Sequence, residues 1–237
     1  MSIAIIGGTG DEGFGLALRL AKAGEDVVIG SRSHERGQSA AERAAEILGL
    51  GSGSGTRGHV SGTGNEEAAA GAGVIFVTVP FAGQAEIYRS IRDVLRRTAI
   101  VCDTTTPLAT AVGRPAWHVL TPWEGSAAEQ AKALLPRETR LVSGFHTISA
   151  EPLQDIESAL EGDVLLCGPD SEAKAVIGDL AEKIPNLRWV DAGPLSMARI
   201  LEKLTAVLVS VNRAYGIKGA GIAVTGREDW GSSPRPS

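Results

Sequence analysis

At 237 residues, with 43% hydrophobic and 22% charged content, the chain can bury a full core without disulfides or metals and has the composition of an ordinary globular protein. Its net charge of −5 excludes the broad basic face of a general nucleic-acid binder. Strand-like sequence starts at residue 3 with no basic leader or long apolar span, so no targeting signal or membrane segment is expected, and the compartment expected is the cytoplasm.

The apolar run Ile3-Ala4-Ile5-Ile6 reads as a strand, and Phe14 to Ala23 as a helix stopped by Gly24. Val27 to Gly30 is a second strand and Glu35 to Leu48 a helix of good formers. Residues 49–58 are glycine-rich and read as a flexible surface loop. A short strand at His59 to Ser61 and a helical stretch at Asn65 to Ala70 lead to Val74 to Val79. That continuous apolar and β-branched run suits a central parallel strand covered on both faces. A helix at Ala85 to Leu95 and a buried strand at Ala99 to Asp103 follow, then a helix at Ser126 to Leu135 and a strand at Leu141 to Thr147. From Glu151 a smaller unit is expected, with a helix at Leu153 to Leu160, strands at Asp163 to Cys167 and Leu187 to Val190, and a helix at Ser171 to Ile184 between the two strands. A long helix from Leu195 to about Tyr215 closes it, with an apolar face to bury.

Strands alternating with helices of about ten residues predict a Rossmann-type, doubly wound parallel α/β sheet with a smaller C-terminal α/β-to-helical domain. The expected division is a dinucleotide-binding domain at 1–150, a C-terminal domain at 151–224 and a disordered tail at 225–237. Cys102 and Cys167 each sit in an apolar run and read as buried strand residues, so no metal or disulfide is expected.

Gly8-Thr9-Gly10-Asp11-Glu12-Gly13 is G-x-G-x-x-G between a strand and a helix, with a second strand following. That context makes it a dinucleotide fingerprint, in which glycines admit the pyrophosphate and a helix N-terminus favours its charge. Asp11 and Glu12 conflict with it, because two carboxylates at the phosphate end should repel the ligand unless they point outward. The second strand ends on Ser31-Arg32 with Arg36 a turn further on, where an NAD site would carry an acidic residue. A guanidinium fork suits phosphate oxygens, so NADP(H) is the expected cofactor, with Thr9 adding a hydroxyl.

Val79, Pro80 and Phe81 follow the fourth strand, Thr104 the fifth, and His146 and Ile148 the sixth. Ligands of open α/β sheets sit at these carboxyl ends, so the three are expected to converge on the nicotinamide. The chain has no Tyr-x-x-x-Lys pair, metal cluster or G-x-S-x-G elbow, and so no strong general acid or base for carbonyl chemistry. Hydride transfer between two cofactors requires little more than placing their rings face to face without water.

The chain resembles the NADPH-dependent coenzyme F-420 (F420) reductases from Ile3 to about Val224. The resemblance is carried by Ile5-Ile6-Gly7-Gly8-Thr9-Gly10 with Gly13, Gly30-Ser31-Arg32, Gly125-Ser126-Ala127-Ala128-Glu129, Phe145-His146-Thr147-Ile148, and Asp191-Ala192-Gly193-Pro194-Leu195-Ser196 with Arg199. It implies NADP held at Thr9, Ser31, Arg32 and Arg36, and an 8-hydroxy-5-deazaflavin stacked on the nicotinamide beside His146 and Ile148. A segment near Ala220 would close over it, hydride would pass between nicotinamide C4 and deazaflavin C5, and the protein would be a homodimer. Two other readings stay open: an NADPH-dependent reductase of a flavin or small imine, and a non-catalytic NADP(H)-sensing module.

Overall fold

The computed structural model describes residues 2–50 and 58–226. Strands β1 (Ile3–Ile6), β2 (Val27–Ser31), β3 (Val60–Gly64), β4 (Val74–Val77), β5 (Ile100–Asp103) and β6 (Arg140–Ser143) form one sheet in the order β3-β2-β1-β4-β5-β6. Every neighbouring pair is parallel. This is the strand order of a dinucleotide-binding sheet, with its topological switch between β1 and β4. β1 and β4 are buried along their whole length, as central strands with helices on both faces must be.

Helices α1 (Asp11–Lys22), α2 (His34–Leu48), α3 (Asn65–Gly71), α4 (Phe81–Ile91) and α5 (Ala127–Leu134) form the crossovers. After β6 come α6 (Ala150–Gln154), β7 (Gly162–Leu166), α7 (Ser171–Glu182), β8 (Leu187–Asp191) and α8 (Ala198–Tyr215). β7 and β8 pair in parallel as a separate two-stranded sheet. Reciprocal Ser143–Cys167 backbone bonds of 2.8 and 2.9 Å join the end of β6 to the residue after β7. One apolar core runs from Ile3, Phe14 and Leu16 through Phe76 and Phe145 to Val164, Ile177 and Leu187.

Several boundaries differ from the sequence expectation for local reasons. α4 starts at Phe81, because Pro80 occupies the N-cap, where its missing N–H costs nothing. The helix expected at Leu153 to Leu160 is instead Ala150–Gln154, with Pro152 in its first turn. Its end is tied down by Arg19 of α1, which is 3% exposed and donates to the carbonyls of Leu153 (2.9 Å), Pro152 (2.7 Å) and Asp155. β6 stops at Ser143 because the backbone reverses at Phe145, whose φ of 67° lies in the left-handed region. The long last helix is preceded by a separate 3₁₀ turn at Leu195–Met197. Of the loop expected at 49–58, residues 51–57 lie outside the described residues, as do residues 227–237 of the expected tail.

Candidate functional site

The glycine turn is shaped for close approach. Gly8 N–H donates to the carbonyls of Ile5 (3.2 Å) and Gly30 (3.0 Å), tying β1 to β2, and Gly7 N–H donates to Asn65 Oδ1 at 3.2 Å. Gly7 has φ of 75°, and a Cβ at Gly13 would lie 2.3 Å from Thr78 Oγ1 and 2.8 Å from Gly8 Cα. Only glycine fits either position without moving the loop. Gly10 caps α1 in an extended conformation without a side-chain bond, so the first N–H groups of α1 point at the space an anion would fill.

At the far end of β2, Ser31 is buried while Arg32 and Arg36 are exposed. Ser33 caps α2 by accepting from Arg36 N–H at 3.4 Å, which fixes the first turn carrying Arg36. Neither arginine makes an ion pair among the described residues, so both guanidinium groups face solvent beyond the carboxyl end of β2. His34 lies beside them, its Nδ1 2.9 Å from Thr63 Oγ1.

The ends of β4, β5 and β6 enclose a cavity of about 280 Å³, lined among others by Gly10, Glu12, Thr78, Val79, Pro80, Thr104, His146 and Ile148. The expected convergence of three strand ends is therefore present, with Thr205 of α8 as a fourth wall. Phe81 is not in this lining; it opens α4. Ala220 lines a neighbouring cavity of about 260 Å³, which shares Ile148 with the first.

Among the described residues the buried side-chain polar atoms all have hydrogen-bond partners. His146 is 6% exposed. Its Nε2 lies 2.9 Å from Ser143 Oγ, and its Nδ1 lies 3.2 Å from the Thr104 carbonyl and 3.5 Å from Thr106 Oγ1. Burial holds its pKa down to about 4, so the ring is neutral at physiological pH. Its backbone carbonyl accepts from Thr205 Oγ1 at 2.7 Å, and the two hydroxyls of Thr205 and Thr106 meet at 3.0 Å. The left-handed Phe145 that turns His146 inward is pinned edge-on against Phe76, with ring centroids 5.5 Å apart.

Behind Thr104 lies Asp103, fully buried. It accepts from Gln84 Nε2 (2.6 Å), Tyr88 OH (2.7 Å) and Thr105 N–H (2.7 Å). Burial raises its pKa against the pull of these bonds. Glu202 of α8, 1% exposed, accepts from the N–H groups of Ala127 and Ala128 at the start of α5 (2.9 and 3.0 Å). It is a carboxyl at a helix N-terminus, raised to about 8 by burial. Sequence reading missed Asp103, Gln84, Tyr88, Glu202 and Thr205. Two of them left a trace as polar positions, Glu202 and Thr205, within the otherwise apolar face of the last helix.

Glu12 does not point outward as the phosphate argument requires. Its carboxyl lines the cavity, in reach of the Thr104 hydroxyl, and burial raises its pKa to about 7. Asp11 is exposed. Among the described residues no group of three or more His, Cys, Asp and Glu could hold a metal ion, and no helix is long and apolar enough to cross a membrane.

Comparison with known proteins agrees with this geometry. The family described as NADP oxidoreductase coenzyme F420-dependent matches residues 2–107, from β1 past the end of β5. The F420-dependent NADP reductase of Methanothermobacter thermautotrophicus is 41% identical over 226 residues, covering 95% of each chain. That of Methanocaldococcus jannaschii is 39% identical over 228 residues, covering 96% of this chain and all of the relative. A solved chain from Arthrobacter sp. FB24, 24% identical, shares the fold over 95% of this chain and 99% of its own, with a TM-score of 0.78. A chain with a glycine turn, a basic end of β2 and a cavity at three strand ends is thus alike from end to end with those reductases, and it belongs to the F420-dependent NADP reductase family.

Proposed function

We propose that this protein transfers a hydride between NADP(H) and coenzyme F420. The observation that carries this reading is the cavity at the ends of β4, β5 and β6, which is lined by hydroxyl and apolar groups beside Asp11 and Glu12 and floored by a neutral His146. Bound NADPH supplies a hydride at nicotinamide C4, and deazaflavin C5 accepts it. The residues of the chain bind, orient and exclude water. Gly8, Thr9, Gly10, Gly13 and the start of α1 take the pyrophosphate; Ser31, Arg32 and Arg36 take the 2′-phosphate. Val79, Pro80 and Thr104 wall the nicotinamide, while His146 and Ile148 position the deazaflavin. Ala220, whose N–H donates to Asn212 Oδ1 at 2.9 Å, borders the outer cavity, where the deazaflavin leaves the nicotinamide. Residues 1–150 are assigned to dinucleotide binding and residues 151–224 to the wall over the second ring.

Mixing the protein with NADPH and oxidised F420 should bleach the visible band of the deazaflavin at a rate proportional to protein. NADPH binding without bleaching overturns the reading. FMN and a cyclic imine run in parallel test the other acceptors; Glu12, raised to about 7 by burial, could protonate an imine near neutral pH.

The working form is a cytoplasmic homodimer. α8 leaves Ile200 and Val207 more than half exposed, and Trp123 is 99% exposed. Trp123 precedes Glu124, whose carbonyl accepts from Arg199 of α8 at 3.4 Å, so these apolar groups share one side of the molecule. Ile200→Glu should shift the sedimenting species from dimer to monomer; an unchanged dimer would place the interface elsewhere.

A further inference from the structure

Glu12 is the residue that the reading above leaves without a role. It stands in the first turn of α1, where the pyrophosphate binds, yet its carboxyl turns into the nicotinamide cavity toward Thr104. The Thr104 hydroxyl has a single proton, and the Val77 carbonyl lies 3.2 Å away to receive it. Shared with Val77, that proton makes Thr104 a weak donor to the Glu12 carboxylate, and burial outweighs it. A neutral carboxylic acid fits this arrangement, and it does not repel a dinucleotide.

The groups around it push the same way. From β5, Asp103 is buried behind Thr104 and opposes a second negative charge, and the Cys102 thiol is held up by burial and by that same charge. From the turn after β6, His146 is neutral and offers no compensating cation. Thr78 after β4, Thr105 and Thr106 after β5, and Thr205 on α8 are uncharged. On its own helix the exposed Asp11 lines the same cavity and adds a negative charge. Among the described residues no cationic side chain lines the cavity. The oxidised nicotinamide ring is the cation this cavity lacks, and the reduced ring is uncharged.

We propose that Glu12 is the proton-carrying contact of the nicotinamide, neutral beside the reduced ring and ionised beside the oxidised, positively charged ring. The inference rests on the placement of the nicotinamide in this cavity given under the proposed function. Binding of NADP⁺ then releases the Glu12 proton to solvent. When a hydride reaches the ring its charge disappears and Glu12 regains a proton from solvent. No electrons pass through the carboxyl, and the hydride itself moves only between the two rings. A group with its pKa raised to about 7 is poised for this exchange at physiological pH.

The test is calorimetric titration of NADP⁺ and NADPH into the protein, without F420, between pH 6 and 8. The ratio of the NADPH dissociation constant to that of NADP⁺ is the useful quantity. Repulsion from the pyrophosphate and titration of the 2′-phosphate are common to both cofactors and cancel in it. The wild type should show this ratio rising about fivefold from pH 6 to 8, most of the tenfold span that a one-unit displacement of the carboxyl's pKa by the ring's charge would give. Glu12→Gln should hold it constant near its low-pH value. Thr104→Val removes a donor to the anion and should move the midpoint of the rise to higher pH. A flat ratio in the wild type, an equal rise in Glu12→Gln, or an unmoved midpoint in Thr104→Val would each overturn the proposal. Failure to bind either dinucleotide would overturn the proposed function along with it, whereas F420 bleaching with a flat ratio would overturn this inference alone.

Discussion

The two ends of the dinucleotide groove use opposite physics. At the adenosine end Arg32 and Arg36 are exposed and without ion-pair partners among the described residues. At the nicotinamide end Asp103 is 0% exposed, Thr104 4% and His146 6%, and each is hydrogen-bonded inside the protein. A phosphate dianion brings its own charge, so cations left in solvent can meet it without first being dehydrated. Hydride transfer requires a dry, pre-ordered surface, where a stray charge would be costly and a mobile polar group would disorder the rings. One end is thus exposed and positively charged, and the other is buried and hydrogen-bonded within the protein.

The largest way to break this contrast is to open the buried network. Asp103→Ala leaves Tyr88 OH and Thr105 N–H without their acceptor and should cost about 4 kcal/mol in urea unfolding, at 1–3 kcal/mol for each orphaned group. Asp103→Asn keeps an acceptor and should cost less. A loss no larger than that of a surface substitution would mean the network is not what holds the cavity wall.

The next effect follows pH. The pKa of His146 is lowered in the folded protein, from 6.5 to about 4, so between those values the unfolded chain binds the extra proton. Its contribution to stability is therefore complete above about pH 6.5 and is lost as pH falls toward 4. The wild type should lose about 3 kcal/mol more than His146→Gln across that window, in unfolding measured at each pH. Equal losses would mean that the ring is solvated and not part of the dry end.

At the charged end, Arg32→Asp should weaken NADPH binding about 100-fold by removing a charge-assisted contact and adding repulsion, and leave NADH nearly unchanged. Equal weakening of both would remove the 2′-phosphate assignment. The smallest effect is expected at Thr205→Val, which deletes the 2.7 Å bond to the His146 carbonyl. It should cost about 1 kcal/mol in stability and slow hydride transfer with little change in NADPH affinity.

The same contrast governs how much could be read from sequence. The charged end is local: Gly8 to Gly13 and Ser31-Arg32-Arg36 belong to a single βαβ unit whose strand, turn and helix signals are contiguous. The neutral end is assembled from distant residues with no spacing rule. Gln84, Tyr88, Asp103 and Gln130 meet only because α4, β5 and α5 are neighbours in space. The strand-end positions of Val79, Thr104 and His146 were legible because parallel sheets place ligands there. Their neutrality was not, since burial and partners decide it. Glu12 was visible as a conflict with phosphate binding, but its place in the cavity lining was not. The end of α6 could not be placed, because Arg19 of α1, more than a hundred residues earlier, satisfies its carbonyls.

The central claim is that the neutral end brings two rings together for direct transfer, and NADPH deuterated on each face of C4 in turn tests it. With oxidised F420 in ordinary water, one of the two labelled forms should deliver its deuterium to deazaflavin C5, read by mass and proton resonance, with none lost to solvent. Label appearing in water, or reduced F420 without label from either form, would contradict the account.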